Sequence, residues 1–273
     1  MLSTLLDREG GVPLPLPPSL AARYGGPLRF PESGVHVFAN FVSTIDGIVS
    51  FDIPGQDQAK QVSRGYPGDR FMLGLLRAVA DAVIVGAGTL RKERDSTWTA
   101  ERAFPDARAD FAALRAALGT TARPLTVIVT GSGDIDLGLP VFTDGGPVLI
   151  ATTAAGARRL GTVPAHLSVR AVAEHEPLRA AELVRVAAEA TRGRRILTEG
   201  GPTVLARFFE ERVVDELFLT IAPLIAGRTR DARRTALVEG AAFLPASAPQ
   251  ARLVSVKAAD DYLFTRFAFG HRA

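Results

Sequence analysis

The sequence contains no cysteine, which excludes a disulfide framework, a thiolate nucleophile and a cysteine-ligated zinc site. Aromatic residues make up only 7% of the chain and do not alternate with a basic stripe, so we expect no nucleic acid as a partner. Histidines are few and scattered, without the close spacings of metal sites, and we expect no bound metal: His36, His166, His175 and His271.

A long hydrophobic run is also missing. No stretch approaches the roughly 18 uninterrupted apolar residues of a membrane helix, and the N-terminus has no basic segment followed by an apolar core. These absences predict a cytoplasmic protein with no membrane partner. The formal net charge is only +3, which gives no further reason to expect nucleic-acid binding.

Most of the 273 residues show alternating strand and helix patterns. Short β-branched and apolar runs, such as 35–42 and 82–86, are separated by segments with apolar residues at helical spacing. The pattern predicts an α/β fold with a mostly parallel central sheet, helices on both faces and a C-terminal antiparallel hairpin. Residues 1–33 are rich in proline and are predicted to form an extended or flexible arm, followed by a single domain over 34–273.

Residues 198–203 form the clearest candidate binding turn, where a predicted strand gives way to a helix. Glycines let the backbone approach a ligand closely, and proline suits the first helical position because its missing N–H has no partner there. Free N–H groups at a helix start favour an anion. The pattern indicates a diphosphate site at Gly200, Gly201, Pro202 and Thr203, although a plain strand-to-helix turn would use the same residues.

A second glycine turn follows the strand 82–85 and contains Gly86, Gly88 and Thr89. It lacks the third glycine of a Rossmann fingerprint, but two such turns at strand ends of one sheet favour a dinucleotide site. Two further strands end in hydroxyl residues that we expect to hold the adenosine half: Thr130, Ser132, Thr152 and Thr153. Arg158 or Arg159 would then meet a 2′-phosphate; the alternative for the hydroxyls is capping of the next turn.

Five short segments in order resemble the reductase domain of riboflavin biosynthesis, the RibD C-terminal family, which is a branch of the dihydrofolate-reductase-like fold. They are Ser-Thr-Ile-Asp-Gly at 43–47, the stretch from Arg77 through Asp-Ala-Val-Ile-Val-Gly-Ala-Gly-Thr at 81–89, Thr-Glu-Gly-Gly-Pro at 198–202, Asp-Glu-Leu at 215–217 and Ile-Ala-Pro-Leu-Ile-Ala-Gly at 221–227. The resemblance runs from about Val35 to Phe269.

The resemblance implies a homodimeric, NADPH-dependent reductase that transfers hydride to the ring-opened ribose of a phosphoribosylamino-pyrimidine. It implies that the two glycine turns hold NADPH and that Asp46 and Glu199 face the substrate, where either could relay a proton as a catalytic residue. A simple turn-forming role is the alternative for Asp46, and hydrogen bonding to its own loop is the alternative for Glu199.

Two departures from the family pattern lie on the substrate side. Ile48 stands where members commonly carry lysine, and the segment 91–98 lacks their Asp-x-Pro. We expect substrate, including a sugar phosphate, to contact residues near the first strand end and a predicted helix start: Asn40, Ser43, Ser63, Arg64 and Arg70. Asp69, in the same segment, is equally suited to capping that helix.

The departures leave two alternatives open. The acceptor could be a pteridine such as dihydrofolate, or the protein could be an NADPH-binding module without catalysis.

Overall fold

The computed structural model describes residues 1–53, 56–144, 146–232 and 234–270. The strands in these ranges are β1 (Ser3–Asp7), β2 (Val12–Pro13), β3 (Arg29–Phe30), β4 (His36–Thr44), β5 (Ile48–Ser50), β6 (Ala82–Gly86), β7 (Leu125–Thr130), β8 (Val148–Thr153), β9 (Leu167–Ala173), β10 (Arg195–Gly200), β11 (Glu216–Ala222), β12 (Thr235–Ala236), β13 (Ala251–Ala259) and β14 (Tyr262–Phe269).

The helices lie between these strands. They are α1 (Pro18–Tyr24), α2 (Gln58–Ser63), α3 (Pro67–Val79), α4 (Ala87–Lys92), α5 (Ala100–Ala103), a 3₁₀ turn (Pro105–Ala107), α6 (Arg108–Ala117), α7 (Pro140–Thr143), α8 (Ala154–Leu160), α9 (Ala180–Thr191) and α10 (Pro202–Glu210).

One ten-stranded sheet organises the molecule, in the order β1-β13-β14-β11-β4-β10-β6-β7-β8-β9. From β11 to β9 all neighbours pair in parallel, whereas β1, β13 and β14 add an antiparallel edge. The predicted α/β class, the mostly parallel sheet and the C-terminal hairpin are therefore confirmed.

The two faces of the sheet bury separate apolar clusters, because side chains alternate along each strand. In β6, Val83 and Val85 join a cluster that includes residues of α3 and α6, while Ala82 and Ile84 join one that includes residues of α9 and α10. Both faces are covered by helices, as a parallel sheet requires.

The N-terminal residues depart from the prediction. β1 pairs antiparallel with β13, with Ser3 opposite Ala258, and extends the main sheet at its edge. Leu20 and Tyr24 of α1 are almost fully buried in the core cluster on the α3 face. The expectation of an extended or flexible arm is thus wrong for these residues; the proline-rich stretch connects an edge strand of the main sheet to a helix that packs into the core.

A buried ion cluster, composed of Glu9, His36, Glu216 and Arg266, fixes this N-terminal segment to the sheet. Arg266 Nη1 lies 3.0 Å from Glu9 Oε2, and its Nη2 donates to Glu216 Oε2 at 2.6 Å. His36 Nε2 lies 2.9 Å from the same Glu216 oxygen. The guanidinium also stacks between Phe30 and Phe218. Because the charges of Glu9, Glu216 and Arg266 are buried, each depends on its partners for stabilisation.

Substitution of Arg266 by methionine should therefore destabilise the fold strongly. Arg266→Met leaves the carboxylates of Glu9 and Glu216 buried without their cation, which costs about 3–5 kcal/mol of unfolding free energy. Urea denaturation measures this loss of unfolding free energy. The matched control is Arg252→Met, because Arg252 is an exposed residue of β13, and its unfolding free energy should stay within about 0.5 kcal/mol of wild type. A loss below about 1 kcal/mol for Arg266→Met would show that the cluster does not hold the segment.

Candidate active site

A cleft of about 1880 Å³ opens along the carboxyl edge of the parallel strands. Its walls include the ends of β4, β6, β7 and β10 together with residues of α2 and α3. Open α/β sheets bind ligands at this edge. The volume exceeds the roughly 300–1,000 Å³ typical of a pocket for one small ligand, so the cleft has room for a dinucleotide and a second molecule.

The two predicted glycine turns lie side by side in this cleft. β6 and β10 are parallel neighbours, so both turns leave the sheet at one edge. A Cβ on Gly86 would stand 2.6 Å from the carbonyl oxygen of Gly200, and one on Gly201 would stand 2.6 Å from Thr89 Oγ1. Glycine is therefore required for the two backbones to approach each other.

Space beside these turns suits a bound anion. A Cβ on Gly88 would meet no atom within 4 Å, and the backbone of Gly201 has a positive φ of 82°. Pro202 and Thr203 begin α10 and line the cleft, where the N-terminal N–H groups of the helix have no intrahelical acceptor. The predicted cofactor residues of both turns are thus brought together, and the site fits a dinucleotide diphosphate.

The predicted adenosine-side hydroxyls divide into two groups. Thr130 and Ser132 line the cleft, although their hydroxyls accept hydrogen bonds from the backbone N–H of Gly133 and Asp134. Thr152 and Thr153 do not line it: the Thr153 hydroxyl donates to Gly131 O at 2.8 Å and caps α8. The capping alternative therefore describes this second pair, because their hydroxyls fix the loop that follows β7.

The arginines expected to meet a 2′-phosphate do not line the cleft either. Arg158 and Arg159 lie exposed in the last turn of α8. Glu176 lines the cleft instead. Its carboxylate lies directly against Gly131, in the position that a Cβ on residue 131 would occupy. The adenosine side thus presents an acidic group that sequence patterns did not indicate, since Glu176 is remote in sequence from every motif.

Arg77 and Glu199 form a buried salt bridge in the cleft wall. The guanidinium donates to both carboxylate oxygens, at 2.8 Å from Nε and 2.6 Å from Nη2. Burial alone would lower the pKa of Arg77, but the adjacent Glu199 carboxylate raises it above its usual value. Glu199 therefore turns toward Arg77, whereas the sequence analysis expected it to face substrate or its own loop. These two residues are 122 positions apart, so no local pattern connects them.

Asp69 lies on the floor of the cleft with 8% of its surface exposed. It is the third residue of α3, and the cap residue, Tyr66, makes no side-chain capping hydrogen bond. The Asp69 carboxyl instead interacts with the hydroxyls of Thr220 and Ser63, which lower its pKa. Burial raises its pKa to about 6. The capping role considered from the sequence does not account for this placement.

Glu93 is a further carboxyl group of the cleft that the sequence analysis missed. It ends α4, lines the cleft and is partly buried. Burial raises the pKa of Glu93 to about 8, and the nearby Asp57 carboxylate contributes to the rise. Trp98 lies in the same wall with a positive φ of 48°, and its buried indole N–H has no acceptor among the described residues. Both residues belong to the segment that departs from the family pattern.

Asp46 does not line the cleft. Its Oδ1 accepts hydrogen bonds from the Thr44 hydroxyl at 2.6 Å and from Ala226 N–H at 3.0 Å, and its Oδ2 accepts one from Gly227 N–H at 2.8 Å. These bonds lower the pKa of Asp46 to about 2. The carboxylate is therefore ionised at neutral pH and has no proton to relay. Its placement supports the turn-forming alternative, since it ties the β4 loop to residues 226–227.

Three of the five predicted substrate residues reach the cleft: Asn40, Ser63 and Arg70. Arg70 is exposed, and its Nε donates to Ala103 O at 3.0 Å. Ser43 is buried outside the cleft, and Arg64 is an exposed residue that ends α2 with a positive φ of 55°. A direct substrate contact for these last two has no geometric support.

Among the described residues there is no group of three or more side chains arranged to hold a metal ion, and His271 lies outside them. Within the same ranges no helix is long and apolar enough to cross a membrane.

Known proteins with similar sequence or structure are pyrimidine reductases and their relatives. A 2,5-diamino-6-ribosylamino-4(3H)-pyrimidinone 5′-phosphate reductase of Archaeoglobus fulgidus is 25% identical over 193 residues, which cover 70% of this chain and 82% of the relative. A pyrimidine reductase-like protein of Corynebacterium diphtheriae superimposes with a TM-score of 0.63 at 20% identity, covering 87% of this chain and 93% of that one.

Acinetobacter baumannii RibD gives a TM-score of 0.65 at 18% identity, with 87% of this chain and 59% of that chain covered. These likenesses define the class of the protein as an α/β protein of the pyrimidine-reductase fold, which confirms the fold predicted from the sequence. The model of the RibD C-terminal domain matches residues 35–263. The chain therefore belongs to the RibD C-terminal domain family.

The raised pKa of Asp69 generates a prediction for stability. Its pKa of about 6 exceeds the ordinary value of 3.8, so the stability contributed by the protonated carboxyl is complete below the unfolded value and is lost as pH rises through 6. Asp69→Asn cannot titrate. Between about pH 4.5 and 7.5, its unfolding free energy should gain about 2 kcal/mol relative to wild type.

Urea denaturation at a series of pH values measures this difference. Asp110→Asn is the matched control, because Asp110 is also the third residue of a helix, α6, but lies outside the cleft. A difference between Asp69→Asn and wild type that does not change with pH would contradict the prediction.

Proposed function

We propose that the protein is an NADPH-dependent reductase that transfers hydride to a phosphoribosylamino-pyrimidine, of the 5-amino-6-(5-phosphoribosylamino)uracil reductase type. The observation that carries the proposal is the division of one cleft into two halves. Two adjoining glycine turns form an anion-binding half, and buried polar side chains line the other half, among them Asp69 and the Arg77–Glu199 pair. Family membership supports the same reaction.

The cofactor half is formed by the chain's own backbone. Gly86 and Gly201 let the two turns approach each other, and Gly88 leaves open space for a diphosphate beside the start of α10. A reduced nicotinamide, when bound, supplies a hydride. Placing an acceptor carbon about 3–3.5 Å from that donor is the main contribution such a site makes to the rate.

The choice of NADPH over NADH is supported by family resemblance. The carboxylate of Glu176 against Gly131 opposes that choice, because it would repel a 2′-phosphate unless the side chain turns away. We therefore propose NADPH as the donor and include NADH in the tests.

Homodimerisation and a cytoplasmic location remain predictions. β11 lies between β4 and β14 within the sheet, so it offers no free strand edge to a partner, and most of its residues are already buried. The dimer proposal therefore rests on family resemblance alone.

The acceptor is tested by steady-state oxidation of NADPH and NADH, each with the phosphoribosylamino-pyrimidine and with dihydrofolate. We expect turnover with the pyrimidine and NADPH. A dihydrofolate rate equal to or above the pyrimidine rate would replace the proposed acceptor, and NADPH binding without oxidation by either acceptor would favour a non-catalytic module.

Gly88→Asp tests the cofactor half in the same assay. The added carboxylate has space in the fold but stands where the diphosphate binds, so NADPH affinity should fall at least about tenfold. Gly10→Asp is the matched control, because a Cβ on Gly10 also meets no atom within 4 Å but lies far from the cleft. Equal NADPH affinity for the two variants would refute the assignment of this turn.

The two predicted catalytic carboxylates should differ in their effects. Glu199→Gln leaves the buried Arg77 cation without its full partner in the cleft wall, so turnover should fall at least about 10²-fold. Asp46→Asn changes a loop contact outside the cleft and should lower turnover less than about tenfold. Turnover numbers are compared after circular dichroism confirms folding; the reverse order of effects would restore Asp46 as the catalytic candidate.

A further inference from the structure

We propose that Asp69 is a catalytic residue of this reaction, whose carboxyl group protonates the substrate nitrogen that links the pyrimidine to the opened ribose. The inference rests on the proposed function and deepens it. None of the motifs that indicate the family includes Asp69.

The surroundings of Asp69 are unusual for a buried acid. Its carboxyl is 8% exposed, and no lysine, arginine or histidine forms an ion pair with it among the described residues. Buried carboxyl groups are rarely left without a cation or a full set of hydrogen-bond donors. Among the described residues, the two other acids that are equally buried obey this rule: Asp81 pairs with Arg195, and Glu216 pairs with Arg266.

A structural role does not explain the position. Tyr66 occupies the cap position of α3, and no backbone N–H of the helix start donates to Asp69 in the described structure. The polar groups that interact with the carboxyl are two hydroxyls, Ser63 at the end of α2 and Thr220 in β11. The carboxyl therefore lies on the cleft floor with hydrogen-bonding capacity that is available to a ligand.

The chemistry of the proposed reaction needs a proton at that point. Ring opening of the ribose gives an imine, C=N, between the ribose C1 carbon and the pyrimidine-linked nitrogen. A hydride adds to that carbon, the electron pair of the C=N π bond passes to nitrogen, and nitrogen takes the proton of the Asp69 carboxyl. The products are the secondary amine of the ribityl compound, the oxidised nicotinamide and the Asp69 carboxylate, which is reprotonated from solvent.

Electrostatics near Asp69 favour a carboxyl that holds a proton near neutral pH. Burial raises its pKa to about 6 despite the hydroxyl hydrogen bonds, and the Asp57 and Glu199 carboxylates add to the rise. Tyr262 of β14 also interacts electrostatically with Asp69, and the Arg64 guanidinium interacts electrostatically with the same tyrosine. Arg77 neutralises Glu199 through their salt bridge in the cleft wall. A general acid performs best when its pKa lies near the working pH.

The first test compares wild type with Asp69→Asn over a series of pH values. For wild type, kcat/KM should fall as pH rises above about 6, because the acid form is lost. Asp69→Asn should lose this limb and lower kcat at least about 10²-fold, with KM changed less than about threefold. Asp110→Asn is the matched control and should keep the wild-type profile.

Glu93 requires separate treatment because it also titrates in the cleft. Glu93→Gln should keep the limb near pH 6, whatever its effect on the rate. If Glu93→Gln removes that limb and Asp69→Asn keeps it, Glu93 is the acid and the inference fails.

A readout independent of turnover checks that Asp69→Asn is intact. Asparagine keeps the shape of the side chain and can still accept from Ser63 and Thr220, so NADPH affinity by fluorescence titration should stay within about twofold of wild type. The carboxyl itself can be followed by the carbon NMR signal of labelled aspartate, which should show one titration near pH 6 that is absent from the variant.

Each outcome decides a separate point. No pyrimidine-dependent oxidation by wild type would overturn the proposed function and this inference with it. An active wild type with Asp69→Asn retaining more than about a third of kcat would overturn the inference alone. A wild-type kcat/KM that instead falls as pH drops below 6 would also overturn the inference, because the carboxylate form of Asp69 would then be the required one.

Discussion

The close approach of two strand ends, at Gly86 and Gly200, is the constraint on which the site depends. β6 and β10 are parallel neighbours, and a side chain at Gly86 would collide with the backbone of Gly200, while one at Gly200 would collide with Val204 of α10. Because the turns adjoin, the open space at Gly88 and the start of α10 face one region and can bind one diphosphate. In the proposed function, the parallel register of the sheet thus determines where the cofactor would bind, and the bound cofactor would determine where an acceptor must lie.

Electrostatics then distinguish the acidic groups of the cleft from one another. Glu199 is neutralised by Arg77, whereas Asp69 has no ion pair among the described residues and has a pKa raised to about 6 by burial. Glu93, partly buried near Asp57, has a pKa of about 8. Sites that separate the pKa values of neighbouring acids in this way can assign them different roles. In the proposed function, the carboxyl group of Asp69 is therefore the source of the proton in the substrate half.

Much of the fold was predictable because it depends on local patterns. Buried parallel strands give continuous apolar runs, and the glycine turns at 86–88 and 200–201 follow directly from strand-to-helix transitions. The N-terminal segment was not predictable in the same way. Its proline content suggests an arm, but β1 and α1 are stabilised by tertiary contacts, including that between Glu9 and Arg266, which are remote in sequence.

The candidate site shows the same division. The two turns proposed for the cofactor half could be located from glycine and proline, whose conformational requirements are visible in the sequence. The Arg77–Glu199 pair could not, since it joins residues far apart in the chain. The surroundings of Asp46 were not predictable either, because position at a strand end does not reveal that its carboxylate accepts hydrogen bonds from the distant Ala226 and Gly227.

Transfer of a labelled hydride tests the central claim most directly. The phosphoribosylamino-pyrimidine is incubated with NADPH carrying deuterium at C4 of the nicotinamide, and the product is analysed by mass spectrometry and NMR. The account predicts one deuterium on the carbon of the ribityl chain that is bonded to nitrogen. Consumption of NADPH without deuterium at that carbon would contradict it.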